Sequence, residues 1–372
     1  MGRRFLLGLA IGAALALPAQ APADAESQPA SIATVQSETP ISAGGGWLVW
    51  SVPVTGGWGL EAYHDGAVQS LPVSPRPQPF DVNVGTNSRG KPVATFSRCA
   101  RTPRMLGTGE GGHTGGMLLT PRSGAGCRIH VLELATGRES AVPIPHPRGT
   151  SDTTPSMWDG SVAFARKAPG HGEVWQVMLY SPHHPGRLST LRHGAVPAHC
   201  SSGCSGQTIR GEVQALGFDG QLVAFVWSLE APGVIGELTW EQRVDRLSNG
   251  HSSLAGTPIL TESCTGFTGV EEEWPGPPFL RGGAAFFPSL ERGDCYKKFG
   301  TAVARLSAGA LTVGEIHQPV ISMARDGAAV YALAVPVPTQ EQEPTCPCTL
   351  ERISLPAFGA AHYKPTLPFL SG

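Results

Sequence analysis

Lysine, asparagine and charge of either sign are scarce in this chain of 372 residues. Charged residues make up 15 % of it, against about a quarter in an ordinary soluble domain. The formal net charge is −2, and no basic run or stripe stands out. That excludes electrostatic capture of nucleic acid or of an anionic membrane as its organising function. After the first residues no stretch offers about 18 uncharged apolar residues in a row, so no helical membrane span is expected. Sustained 3.6-residue periodicity is also missing, which leaves little room for packed helices. No G-x-S-x-G sequence occurs, which removes the local signature of a serine nucleophile elbow. Its absence says little about a triad assembled in space. Asn83, Asn87 and Asn249 are the only asparagines, and none begins an N-x-S/T sequon.

What is present begins with an address. Arg3 and Arg4 precede an almost purely apolar Phe5 to Leu17, and Ala19-Gln20-Ala21 and Ala23-Asp24-Ala25 both fit a small-residue cleavage pattern. This layout predicts a secretory signal peptide over 1–25, leaving a mature chain of about 345 residues outside the cytoplasm. Residues 26–38 are small and polar and are read as a flexible linker. Eight cysteines in an exported chain predict disulfides. They fall in neighbouring couples: Cys99 and Cys127, Cys200 and Cys204, Cys264 and Cys295, Cys346 and Cys348. Eight cysteines allow 105 pairings; local pairing is the simplest, each bond stapling one excursion. A staple across 99–127 or 264–295 would contribute about 3–4 kcal/mol by the chain-entropy model.

Gly and Pro, 48 and 34, together exceed a fifth of the chain. Such density breaks helices and favours short strands joined by turns. A pattern recurs on that background: a Gly, often Asp-Gly, then a short apolar run ending in an aromatic residue. Its instances run from Gly46 to Trp50, Gly90 to Phe96, Asp159 to Phe164, Asp219 to Phe225, Gly282 to Phe286 and Asp326 to Tyr331. The aromatic positions are separated by 46, 68, 61, 61 and 45 residues, and the wide gaps coincide with Gly-, Pro- and Ser-rich loops. Without those loops each unit approaches the 40–45 residues of a four-stranded propeller blade.

Strand candidates surround each instance. Pro79 to Val84, Gly211 to Phe218 and Val320 to Arg325 come before. Alternating couples come after: Trp58 to His64 with Val68 to Val73, Cys127 to Leu134 with Glu139 to Ile144, Val174 to Tyr180 with Arg187 to Leu191, Gly236 to Trp240 with Val244 to Leu247, and Thr301 to Leu306 with Leu311 to Ile316. The run after the glycine is continuously apolar, as a strand buried on both faces should be, and the later strands alternate. The expected fold is all-β: a single β-propeller of six four-stranded blades over residues 39–368. Two stacked β-sandwiches are the competing arrangement.

Thr154 to Phe164 and Phe218 to Phe225 resemble inner strands of TolB-like, WD40-like propellers. Pro79 to Val84 with Pro92 to Cys99 is similar to secreted actinobacterial propellers of that kind. The resemblance covers most of the mature chain and rests on short motifs. It implies a fold used mainly for interaction, and it carries over no partner-binding residue.

No catalytic, cofactor or metal residue stands out in the sequence. Gly107-Thr-Gly-Glu-Gly-Gly112 satisfies G-x-G-x-x-G, but it follows Thr102-Pro-Arg-Met and runs into further glycines and Pro121, not into a helix that would meet a pyrophosphate. It reads as a flexible loop, and 107–116 as dispensable for folding. His199, Cys200 and Cys204 have zinc-like spacing, but exported cysteines are expected oxidised. His183-His184 reads as a turn, and Glu271-Glu-Glu273 as a solvated loop. The expected function is a secreted, monomeric binding or scaffold module with a protein or glycan partner and no cofactor. The alternative is a propeller hydrolase or lyase acting on an extracellular glycan, peptide or ester. A channel mouth with convergent carboxylates or a Ser/His pair would favour the enzyme; a small, apolar lining would favour binding.

Overall fold

The computed structural model describes residues 30–101, 125–168, 175–182, 188–193, 196–197, 208–230, 238–248, 251–255, 259–262, 272–293, 298–307, 310–336 and 346–360. These form six antiparallel sheets and, among the described residues, no helix. After β1 (Ala30–Val35), the first sheet holds β2 (Ile41–Gly44), β3 (Trp47–Val54), β4 (Gly57–His64) and β5 (Ala67–Ser70). The second holds β6 (Asn83–Thr86), β7 (Pro92–Arg98), β8 (Arg128–Glu133) and β9 (Arg138–Ala141); the third, β10 (Ser151–Trp158), β11 (Ser161–Lys167), β12 (Trp175–Tyr180) and β13 (Leu188–His193). The fourth is built on β15 (Thr208–Phe218), β16 (Leu222–Glu230) and β17 (Leu238–Ser248), with the short β14 (Val196–Pro197), β18 (His251–Leu254) and β19 (Ile259–Glu262). The fifth runs from β20 (Glu272–Pro275) and β21 (Phe279–Arg281) through β22 (Ala284–Gly293) and β23 (Lys298–Ser307) to β24 (Ala310–Ile316). The sixth has β25 (Val320–Asp326), β26 (Ala329–Ala334) and β27 (Cys348–Ile353), and β28 (Gly359–Ala360) returns to pair with β24. The architecture is a six-blade β-propeller.

All six Gly-to-aromatic runs become the second strand of a blade: β3, β7, β11, β16, β22 and β26. Their burial explains why they are continuously apolar. Successive side chains of a strand point to opposite faces, and here both faces meet a neighbouring blade. Leu48 and Trp50 pack toward the sixth blade with Leu333 and Leu350. Trp47 and Val49, on the other face of the same strand, pack toward the second with Phe80, Val84 and Phe96. Six such clusters occupy the six junctions between blades. Outer strands face water; every residue of β5 is exposed.

Side-chain hydrogen bonds tie neighbouring blades together. The Val84 N–H donates to Ser42 Oγ at 2.8 Å, the Phe218 N–H to Ser156 Oγ at 3.0 Å, and the Ile41 N–H to Ser322 Oγ at 3.0 Å. The Thr154 N–H donates to Asp81 Oδ2 at 2.8 Å, and the Val320 N–H to Thr301 Oγ1 at 2.6 Å. Gln242 Nε2 donates to Ser289 Oγ at 3.2 Å between the fourth and fifth blades.

The stretch 26–38, expected as a linker, requires correction. Ala30–Val35 is a strand that pairs antiparallel with β27 from Ala30↔Arg352 to Val35↔Cys348 and forms the outermost strand of the sixth blade. β1 therefore closes the ring. Four of its six side chains are aliphatic, and Val35 is buried against the sixth blade. Three strand expectations also change. Gly236 to Trp240 and Val244 to Leu247 are not two strands: Leu238–Ser248 is one, since its polar Glu241-Gln242-Arg243 continues the ladder with Phe225–Trp227. In Pro79 to Val84 the strand begins only at Asn83; Phe80 is instead a fully buried plug between blades. Glu272 and Glu273 lie on β20, paired with Arg292 and Glu291, and not in a loop.

Cys99 and Cys127 form a disulfide, as do Cys346 and Cys348, with Cα atoms 3.8 and 4.4 Å apart. Cys200, Cys204, Cys264 and Cys295 lie outside the described residues, as do the signal segment, 107–116, His183-His184 and His199. Among the described residues no helix is long and apolar enough to cross a membrane.

Candidate functional site

The inner strands enclose a channel along the axis, with a cavity of about 440 Å³. That is within the usual range for small-ligand sites, about 300–1,000 Å³. Every blade contributes to its wall: Ile41 to Gly45, Asp81 to Thr86, Thr154 to Trp158, Gln214 to Asp219, Pro277 to Leu280 and Met323 to Gly327. The lining is mainly small or apolar, with Ile41, Val82, Val84, Met157, Leu216, Phe279, Leu280 and Met323 among its larger members.

The wall residues come close because the blades do. A Cβ built on Gly85 would overlap the Met157 carbonyl oxygen of the next blade, and one on Gly217 would stand 3.0 Å from the Pro278 oxygen. Inner strands can approach so closely only where a side chain is missing.

Among the described residues three carboxylates line the channel, and each is held by backbone donors. Asp81 accepts from the Ser97 N–H at 2.9 Å and the Thr154 N–H at 2.8 Å, and pairs with Arg76 at 3.2 Å. Asp219 accepts from the N–H groups of Gln221 and Leu222 at 3.0 and 2.7 Å, closing its own turn. Asp326 accepts from the Gly45 and Gly46 N–H groups at 3.1 and 2.6 Å, across the junction of the sixth and first blades. No His/Cys/Asp/Glu group that would hold a metal occurs among the described residues.

One mouth of the channel carries the residues that are not so engaged. The inner strands reach it at their C-terminal ends, where three of them finish in Asp-Gly: Trp158-Asp159-Gly160, Phe218-Asp219-Gly220 and Arg325-Asp326-Gly327. Asp159 and Gly160, with φ of 46° and 74°, form the left-handed pair of a tight hairpin turn. Trp158 leans over the next blade, so that a Cβ on Gly220 would collide with its indole. It is nevertheless 48 % exposed, the one aromatic among the exposed large hydrophobic residues described. Arg325 lines the channel, and its buried Nε has no hydrogen-bond partner. Burial pushes its pKa below the ordinary value, and the Arg281 charge on the fifth blade pushes the same way, opposed by Asp326.

Trp158, Arg325 and Arg281 were not singled out from the sequence. The signal that finds them is positional: two of the three stand immediately before the Asp-Gly of a repeat, where a residue is delivered to the rim.

A second polar cluster lies off the channel, on β7, β8 and β9 of the second blade. Arg98 Nη2 donates to Glu139 Oε2 at 2.7 Å and its Nε to Oε1, while His130 Nδ1 stands 2.8 Å from Oε1. Burial raises the Glu139 carboxyl, but the Arg98 hydrogen bond and charge together with His130 bring it net below its usual range. Burial lowers His130 by more than Glu139 raises it, with Arg98 and Arg128 adding to the fall. The pair is thus a neutral imidazole donating to a carboxylate already bound by arginine, and serves structure. Both groups resist protonation more in the folded chain than in the unfolded one. Stability is therefore full above the ordinary imidazole range and falls on acidification, first for His130 and then as Glu139 titrates. Thermal melts between about pH 7.5 and 4 should show this decline from about pH 6.5 downward, and His130→Phe should flatten its upper part. An unchanged profile in that variant would remove His130 from the account.

No family model matches the chain, and no curated protein matches it. Among solved structures it is similar to the tricorn protease, at 11 % identity and a TM-score of 0.40, over 86 % of this chain and 31 % of that one. The chain thus spans about a third of the tricorn protease's length. It is also similar to an ulvan lyase of polysaccharide lyase family 25, at 10 % identity and a TM-score of 0.42, over 83 % of this chain and 81 % of that one. A third is polysaccharide lyase Uly1, at 10 % identity and a TM-score of 0.40, over 90 % and 94 %. At such identity these likenesses concern the course of the chain and not its residues.

Proposed function

We propose that this is an exported binding module, a six-blade propeller that receives its ligand at the channel mouth formed by Trp158, Phe218 and Arg325. One observation carries the reading: among the described residues the channel is lined by small and apolar side chains, and the three carboxylates there are each held by backbone N–H groups. A propeller hydrolase or lyase would need acid and base groups free to exchange protons at the mouth; carboxylates fixed as acceptors in turns and between blades are poorly placed for that. The exposed Trp158 adds a rigid apolar platform of the kind that dominates recognition surfaces. The likeness of 154–164 and 218–225 to TolB-like propellers supports the same reading, as those are mainly interaction modules. The Cys99–Cys127 disulfide agrees with an oxidising compartment.

The test is a panel of small peptides, glycans and esters offered to the purified protein. Ligand-observed NMR would follow binding, and chromatography would follow turnover over a day. The expected result is binding without new products, weakened about tenfold or more by Trp158→Ala. Steady product formation from any panel member would overturn the proposal in favour of the enzyme.

A further inference from the structure

The inference rests on that reading and concerns the class of ligand. The channel wall presents mainly apolar surface, so a ligand rich in hydroxyls would lose water there with little replacement. An apolar body suits Ile41, Val84, Met157, Leu216, Phe279, Leu280 and Met323 better. At the rim Arg281 ends β21, which packs against β25, the strand that carries Arg325 and Asp326. Asp326 has its oxygens on the Gly45 and Gly46 N–H groups, and Arg325 Nε is a buried donor with nothing to donate to. A ligand oxygen on the guanidinium would supply the acceptor it lacks. A planar guanidinium with a free edge matches a carboxylate, which can take two parallel hydrogen bonds.

We propose that the mouth binds an apolar body bearing one terminal carboxylate. The carboxylate sits on Arg325 and Arg281, and the body runs along the apolar wall toward Trp158. Two sources share this chemistry: the C-terminus of a peptide ending in an apolar residue, and a free aliphatic acid.

Three probes separate the possibilities: N-acetyl-leucyl-phenylalanine, the same dipeptide as its C-terminal amide, and octanoate, each titrated into the full-length protein by ligand-observed NMR. The free-acid dipeptide should bind about 10- to 100-fold more tightly than its amide, as expected for one or two charge-assisted hydrogen bonds. Arg325→Gln should abolish that preference, Arg325→Lys should restore part of it, and Arg281→Gln should reduce it. Melting temperatures of all variants verify folding, and Arg325→Lys keeps the test open should Arg325→Gln fail to fold. Octanoate binding as tightly as the dipeptide acid assigns the site to free acids; weaker octanoate binding assigns it to peptide C-termini. Either result supports the carboxylate assignment. Acid and amide binding alike, with both lost in Trp158→Ala, would overturn it while leaving the binding module standing. No acid binding up to millimolar concentration would also overturn it. The module reading itself fails on a different result, catalytic turnover of a panel compound.

Discussion

Asp152→Ala is expected to cost about 3–5 kcal/mol, the range seen when one partner of a buried ion pair is removed. Asp152 ends a continuous buried network in the third blade. Arg166 donates from Nε to its Oδ1 at 2.6 Å and from Nη2 to its Oδ2 at 2.7 Å. His146 Nδ1 lies 3.1 Å from the same Oδ2. The side chains of Asp152 and Arg166 are 2 % and 6 % exposed. Removing the carboxylate leaves the guanidinium in a low-dielectric site with only the Pro145 oxygen as a further acceptor. The arginine is then the source of the damage, so Asp152→Ala with Arg166→Met should recover much of the loss. Urea denaturation of the two variants measures both. A single variant within about 1 kcal/mol of the parent would show that solvent reaches the pair after all.

The second large effect is expected at Gly85. Its backbone is not left-handed, so the demand is for space alone. The atom in the way is a backbone oxygen of β10, itself paired to β11 at Met157↔Val162. Neither neighbour can rotate aside as a side chain would. Gly85→Ala should therefore cost about 2–3 kcal/mol through overpacking, and Gly85→Val more. Gly359→Ala is the control, since nothing lies within 4 Å of a Cβ there; it should stay within about 0.5 kcal/mol. Equal stability of the two alanine variants would mean that the second and third blades separate more easily than their hydrogen bonds suggest.

The second strands of all six blades were legible because both of their faces are buried, which makes the apolar run continuous and its Gly start sharp. Asp219 to Phe225 shows this: the turn leads directly into β16, and Val223 and Phe225 enter its core. Residues 30–35 were not legible. Ala-Ser-Ile-Ala-Thr-Val is too short and too weakly apolar to declare itself, and its partner is at the far end of the chain. Local pattern cannot record a pairing of that reach. The single strand Leu238–Ser248 was hidden for another reason: Gln242 is buried and donates to Ser289 of the next blade, so polarity there marks a junction between blades and not a break between strands. The channel's apolar character was open in the sequence as a question. Its rim was not, because Trp158 and Arg325 derive their meaning from the turns that follow them.

The closure of the sixth blade by β1 also has a kinetic side. Five blades draw their main strands from neighbouring stretches of chain, and these can condense as local hairpins. The sixth needs the first strand to find β27 after nearly the whole chain has been arranged. That is one long loop closure, whose entropic cost grows only with the logarithm of its length, but whose rate suffers from the large sequence separation. Until it happens β27 presents a bare edge, and an unpaired edge accepts any strand of suitable register. The strand that fits best is the β1 of another copy. Refolding at high concentration thus pits the molecule's own clasp against strand exchange between molecules, and dilution favours the closed ring.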